Sequence, residues 1–277
     1  MFSVLDMFTI GVGPSSSHTV GPMCAAQAFA SSLEESGAVS RVGRIRVVLY
    51  GSLSLTGLGH GTDRAILAGL EGNVPATVDT DYLLSVRERC AHDGTIHVNG
   101  TNAIAYDDDG DMVFDRWKRL APHPNGMRFQ AFDAQGNIID EQVWYSIGGG
   151  FIRRGRIDDA LISNHEQTPA SSQSPEDSGN DEAAEYGDGV PYPFVSCDGL
   201  IDLCRKHHLS IADVVWANET ARRSPQEVRD RLTRIWNVMS HCIDAGCASA
   251  TPTLPGGLDV PRRAPLRSEE HTSELQS

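Results

Sequence analysis

Between Ile157 and Gly189 the chain carries no Lys or Arg and turns to Ser, Pro, Asn, Gly and acidic residues, and this stretch constrains the fold more than any other feature. Such a composition cannot bury enough apolar surface to offset the entropy of ordering it. It predicts a flexible acidic linker or insertion over residues 156–189, with folding confined to the segments on either side. The expected class is α+β: an amino-terminal mixed α/β domain over residues 1–155, the linker, and a helical segment over 190–266.

Within the first domain, the apolar and Ala positions from Thr19 to Gly37 are compatible with a helix that Gly37 stops. Arg44–Tyr50 (RIRVVLY) reads as a strand rich in β-branched residues. Asp63–Leu70 predicts a helix broken by Gly72 and Pro75, and Asp81–Cys90 another. Met127–Phe132 and Ile138–Ser146 flank Ala134-Gln135-Gly136 and predict a hairpin. Beyond Pro191 the pattern turns helical. Ser224-Pro225-Gln226-Glu227 has the form of a capping box. The helix it opens carries Leu232, Ile235, Trp236, Met239 and Ile243 on one side, a stripe expected to be core.

A formal net charge of −14 argues against nucleic acid and anionic membranes as partners, because phosphate surfaces need a basic face. No apolar run of about 18 residues occurs, and Met1–Thr9 lacks the basic-then-apolar order of a secretory signal, so a cytoplasmic protein is expected. Cys24, Cys90, Cys197, Cys204, Cys242 and Cys247 form no CxxC pair. They suggest neither a disulfide framework nor a zinc site, and small buried apolar groups are the expectation.

Four segments could carry chemistry. Gly13-Pro14-Ser15-Ser16-Ser17-His18-Thr19 gathers hydroxyls and an imidazole at a helix start, where free N–H groups favour a carboxylate or phosphate. A Ser N-cap beside a bystander histidine explains the same residues, and both readings stay open. A Ser–His nucleophile is the weaker reading, since adjacent positions rarely give the base a line to the hydroxyl and no G-x-S-x-G elbow is present. Gly51–Thr62 lies between a strand and a helix but lacks the Lys of a P-loop and the spacing of a dinucleotide fingerprint. What remains there is a flexible loop bearing His60, which could equally be a surface histidine. His123-Pro124-Asn125 at a turn and Tyr145-Ser146-Ile147-Gly148-Gly149-Gly150 at a strand end complete the set, although turn chemistry accounts for much of both.

Taken together, the segments Ser3–Met23, Tyr50–Asp79, His123–Phe129 (HPNGMRF), Tyr145–Ile152 (YSIGGGFI), Val190–Phe194 (VPYPF) and Leu258–Ala264 (LDVPRRA) resemble the single-chain bacterial L-serine dehydratases, or L-serine ammonia-lyases. The resemblance covers Met1 to about Leu266, leaving Ala91–Ala121 and the acidic stretch unmatched. It implies deamination of L-serine to pyruvate and ammonia, a role in serine catabolism and gluconeogenesis, and a 4Fe–4S cluster acting as a Lewis acid on the substrate hydroxyl. It implies no pyridoxal phosphate. Family resemblance puts the cluster cysteines in an all-α catalytic domain that the helical segment leads into and that this chain lacks, so no metal ligand is assigned here.

By motif match the resemblance implies His18 and His60 as catalytic residues and Ser16, Ser17, Thr19, His123, Asn125, Ser146 and Gly148 as substrate-binding ones. L-serine, the catalytic domain and further copies of the chain are the expected partners. The tail Arg267–Ser277 (RSEEHTSELQS) back-translates into a common sequencing adapter, so it is expected to be artefactual and the natural chain to continue. On that expectation the chain is an inactive amino-terminal fragment. A stand-alone carboxylate-binding module using the same loops is the alternative, and a serine hydrolase would need an acid and an oxyanion hole that the sequence does not show.

Overall fold

A computed structural model describes residues 3–164, 189–254 and 260–269. The acidic stretch over 165–188 and most of the tail expected to be artefactual lie outside the described residues. Contacts divide the chain into a larger unit, Gly11–Gln167 with Thr251–Arg262, and a smaller one, Met1–Ile10 with Thr168–Ala250 and Arg263–Ser277. Among the described residues no helix is long and apolar enough to cross a membrane.

The larger unit is a mixed α/β fold centred on β1 (Arg44–Tyr50), which forms where the sequence predicts it. Its run Val47-Val48-Leu49-Tyr50 is buried continuously rather than alternately because both faces are covered, Val47 and Leu49 packing into one apolar cluster and Val48 and Tyr50 into another. The other strands are β2 (Thr95–Val98), β3 (Asn102–Ala105), β4 (Met112–Asp115), β5 (Lys118–Leu120), β6 (Gly126–Phe132), β7 (Ile138–Gly148), β8 (Phe151–Arg154) and β9 (Leu161–Ser163). The main sheet runs β2-β3-β1-β6-β7-β8, with β4 also paired to β1, while β5 and β9 pair separately. β1 is parallel to β3 and β4 and antiparallel to β6. The β6–β7 hairpin closes as expected: Asp133 Oδ1 accepts from the amides of Gln135 and Asn137, and Gly136 takes a positive φ.

Several strands escape the sequence reading. β2 and β3 turn through Asn99-Gly100, both at positive φ, and Asn-Gly is a hairpin signal that short flanking strands obscured. β9 lies inside the span read from composition as linker; it pairs with β5, and Asp159 just before it accepts from the Tyr145 hydroxyl at 2.6 Å. Local polarity does not reveal that a partner strand is waiting.

On the sheet lie α1 (Gly21–Glu35), the short α2 (Ser52–Thr56), α3 (Thr62–Leu70), α4 (Thr80–Asp93) and α5 (Asp108–Asp111). Met23, Phe29 and Leu33 of α1 and Ile66, Leu67 and Leu70 of α3 are almost wholly buried. Phe29 stacks on Phe129 of β6 with centroids 5.2 Å apart. Each such side chain contributes about 1.5–3 kcal/mol, against about 0–1 kcal/mol for an exposed ion pair, so apolar packing of α1 and α3 decides this layer. Arg87 of α4 adds a partly buried tie, bonding Asp63 at the start of α3 and Asp108 of α5.

In the smaller unit, α6 (Cys197–His207), α7 (Ile211–Thr220) and α8 (Pro225–Ala248) confirm the helical expectation beyond Pro191. Glu219 of α7 accepts from the Ser3 hydroxyl and the Val4 amide and pairs with Arg223 at 2.7 Å, tying the start of the chain to these helices. Two expectations need correcting. The full capping box belongs to Ser210 and Asp213; at Ser224 the hydroxyl accepts from the Glu227 amide, but the Glu227 carboxylate leans to Arg223 at 3.9 Å instead of returning to the cap. The stripe on α8 is not core, since Trp236 is 62% and Ile243 58% exposed. Periodicity establishes that one helix face is apolar, not that anything covers it. The cysteines also differ from expectation: only Cys90 is buried, and Cys197 and Cys242 are exposed.

Candidate functional site

The carboxyl end of β1, the start of β6 and the end of β7 fall at the same edge of the sheet, because β6 is antiparallel to both neighbours. The start of α1 meets them there. The chain does not wait until Gly21 to coil: a π-helical turn over Ser16–Val20 runs directly into α1, with Ser15 as its N-cap accepting from the His18 amide. Ser16, Ser17 and His18 therefore sit in the first helical turn, one step further in than the sequence places them. Ser16 is exposed, Ser17 and His18 are half-buried, and Thr19 is buried.

The segment after β1 is ordered into helical turns instead of the flexible loop expected. Gly51 makes this possible: its backbone (φ 57, ψ −127) lies outside the regions open to other residues, and a side chain there would strike the Pro124 carbonyl. After α2 a short 3-10 turn carries His60, and Gly61 at φ 63 redirects the chain into α3.

This path brings His60 beside His18, with ring centroids 4.9 Å apart. Nε2 of His18 lies 3.0 Å from the Ser52 hydroxyl and Nδ1 lies 2.9 Å from that of Ser17. Adjacency in sequence thus does not keep Ser17 from its imidazole, contrary to the expectation. Nδ1 of His60 bonds the Thr56 carbonyl at 2.9 Å. Two buried hydroxyls lock the segments together reciprocally: Thr19 donates to the His60 carbonyl at 2.8 Å, and Thr62 donates to the His18 carbonyl at 2.5 Å. Gly57 leaves room for Thr62, whose hydroxyl and Cβ would meet any side chain there.

The remaining expected residues join through the backbone. The Ser52 amide donates to the Pro124 carbonyl, and the neighbouring Asn125 donates to the Ser146 carbonyl while accepting from the Ser146 amide. Ser146 is wholly buried; its hydroxyl has no partner among the described residues and lies against Gly21, where any side chain would collide with it. It packs the strand end onto the helix start. His123 accepts from the Asn125 amide through Nδ1 and sets its ring edgewise on Tyr145, 6.2 Å away. Gly148 stands just past Ser146 at a register shift, with φ 97.

Burial, reinforced by the facing His60, holds the His18 imidazole below the ordinary histidine range, and burial with nearby Arg153 does the same for His123. Both are therefore neutral near pH 7. Among the described residues no Asp or Glu is hydrogen-bonded to either member of the His18–His60 pair. Ser52 and Thr62 escaped the sequence reading. Ser52 follows a strand at the sheet end where α/β folds place ligand loops, which was the available signal; Thr62 gave none, because its partner is a backbone carbonyl far away in sequence.

Hydroxyls and a pair of imidazoles are thus gathered at one end of a mixed sheet on an α/β scaffold. The family model described as serine dehydratase beta chain matches residues 3–156, and the chain belongs to that family. It is 41% identical to the L-serine dehydratase of Streptomyces coelicolor over 272 residues, covering 98% of this chain and 55% of that protein. Against L-serine dehydratase 1 of Escherichia coli the identity is 39% over 268 residues, 95% of this chain and 53% of the relative. The L-serine dehydratase of Mycobacterium bovis is 38% identical over 263 residues. The chain spans about half the length of these relatives.

Proposed function

We propose that this chain supplies the imidazole-bearing half of an L-serine dehydratase. The observation that carries the proposal is the His18–His60 pair, neutral on the His18 side and braced by the Ser17 and Ser52 hydroxyls. Family membership and the names of the relatives support the substrate and the reaction. Removing water from L-serine requires a proton to leave Cα and the β-hydroxyl to depart. The imidazole pair is the group suited to take that proton, with His18 braced by hydroxyls at both nitrogens, and a helix start with exposed Ser16 suits the substrate carboxylate. Asn125 bonds the Ser146 carbonyl next to this helix start, and His123 rests edgewise on Tyr145.

A 4Fe–4S cluster, which the resemblance implies, would supply Lewis-acid help to the departing hydroxyl. The residues described here do not fit one: among them no group of three or more His, Cys, Asp or Glu could hold a metal, and the cysteines are dispersed over both units. On this reading the chain does not turn over L-serine unaided.

Joining the chain to the remaining half of the Streptomyces coelicolor relative and measuring pyruvate release tests the proposal. L-serine turnover is expected, falling on the order of 100-fold in His18→Gln and His60→Gln. His92→Gln, at an exposed position on α4, is expected to leave it unchanged. Binding of L-serine with no turnover in the joined protein would favour a carboxylate-binding module instead.

A further inference from the structure

The two histidines are not equivalent. A carbonyl oxygen only accepts, so the bond from His60 Nδ1 to the Thr56 carbonyl requires the proton on Nδ1. In neutral His60 the bare lone pair is then on Nε2, to which no described residue is hydrogen-bonded. His18 is the opposite case. Both its ring nitrogens meet hydroxyls, and a hydroxyl can donate or accept, so either tautomer is satisfied and neither nitrogen is left for substrate.

We propose that Ser52 is a positioning residue of this site: its hydroxyl holds Nε2 of His18 and fixes that ring against a His60 kept in its Nδ1–H form by the Thr56 carbonyl. Ser52 is suited to this because its own place is determined independently. Its amide is bonded to the Pro124 carbonyl, it opens α2, and Gly51 before it sets the turn that aims it at His18. Ser17, adjacent to His18 in the same turn, belongs to the same segment and does not tie the ring to α2. Ser52 reaches from a different segment and so defines where the ring stands.

The assignment rests on the proposed dehydratase site, but its test reads ring nitrogens directly. Long-range proton–nitrogen NMR of the 277-residue chain, labelled at histidine, reports which nitrogen of each ring bears the proton. Unsubstituted, His60 is expected as the Nδ1–H tautomer. Ser52→Ala is expected to shift both ring-nitrogen resonances of His18 while His60 keeps its tautomer, and Ser52→Thr, which retains the hydroxyl, to restore them. Finding His60 protonated on Nε2 in the unsubstituted chain overturns the proposal, and this reading does not depend on any variant folding. Unmoved His18 resonances in a folded Ser52→Ala overturn it as well. If the NMR results are as expected but His60→Gln leaves turnover of the joined protein intact, the dehydratase role of the pair fails while Ser52 still positions His18.

Discussion

Thr19 and Thr62 are the residues on which the site's geometry depends most, although neither faces solvent. Each hydroxyl donates to a backbone carbonyl in the other segment, so losing one removes a bond from a part-buried acceptor. Thr62→Val is expected to cost about 1–3 kcal/mol, and Thr62→Ser much less, as read from urea denaturation. Equal losses in the two variants would mean that shape, not the hydroxyl, matters there. The imidazoles give a second expectation. His18 and His123 have folded-state values lowered from an ordinary 6.5, so the unfolded chain binds protons that the folded chain refuses. Stability from these groups is present above the ordinary histidine value and is lost as pH falls below it. The thermal midpoint is expected to drop on acidification through that window, with a shallower slope in the His18→Gln/His123→Gln double variant. A slope unchanged by the double substitution would assign the pH dependence to other groups.

At the scale of elements, the contact between α1 and α3 sets where His18 and His60 stand, since each histidine precedes one of these helices. The helices approach closely enough that a side chain at Gly69 would strike the Met23 carbonyl and crowd Ala26. Gly69→Ala gains helix propensity in isolation, by about 1 kcal/mol. The clash is with backbone and cannot be relieved by a rotamer, so a net loss of about 1–3 kcal/mol is expected in urea titration. Net stabilisation would show that the two helices can move apart freely. Most of this layer was legible: α1, β1, α3, α4 and the β6–β7 hairpin have periodicity, β-branching or turn residues of their own. The turns over Ser52–His60 were not, because short helical turns rich in Gly and Ser carry no apolar repeat and owe their form to Gly51, Gly57 and Gly61 fitting around neighbours.

For the molecule as a whole, the chain is expected to retain no stoichiometric 4Fe–4S cluster after anaerobic reconstitution with iron and sulfide. Such clusters are held by cysteine thiolates brought to one point, whereas Cys24 and Cys90 belong to one unit and Cys197, Cys204, Cys242 and Cys247 to the other. Stable visible absorbance and iron at cluster stoichiometry in the purified chain would contradict this.

The sequence by itself determined the mixed α/β class of the first half, the helical character beyond Pro191, the acidic stretch between them and the motifs that mark the family. These are local properties, written in composition, period and spacing, and they need no knowledge of what a segment packs against. Only the tertiary structure decided that His18 meets His60, that Ser52 and Thr62 serve the pair, that Ser146 packs against Gly21, and that the apolar stripe of α8 is left exposed. A serine that caps a helix, one that fixes an imidazole and one that fills a gap between strand and helix are the same residue in sequence. What separates them is the distance to an atom on a remote segment, and that distance exists only after the sheet edge has drawn the segments together.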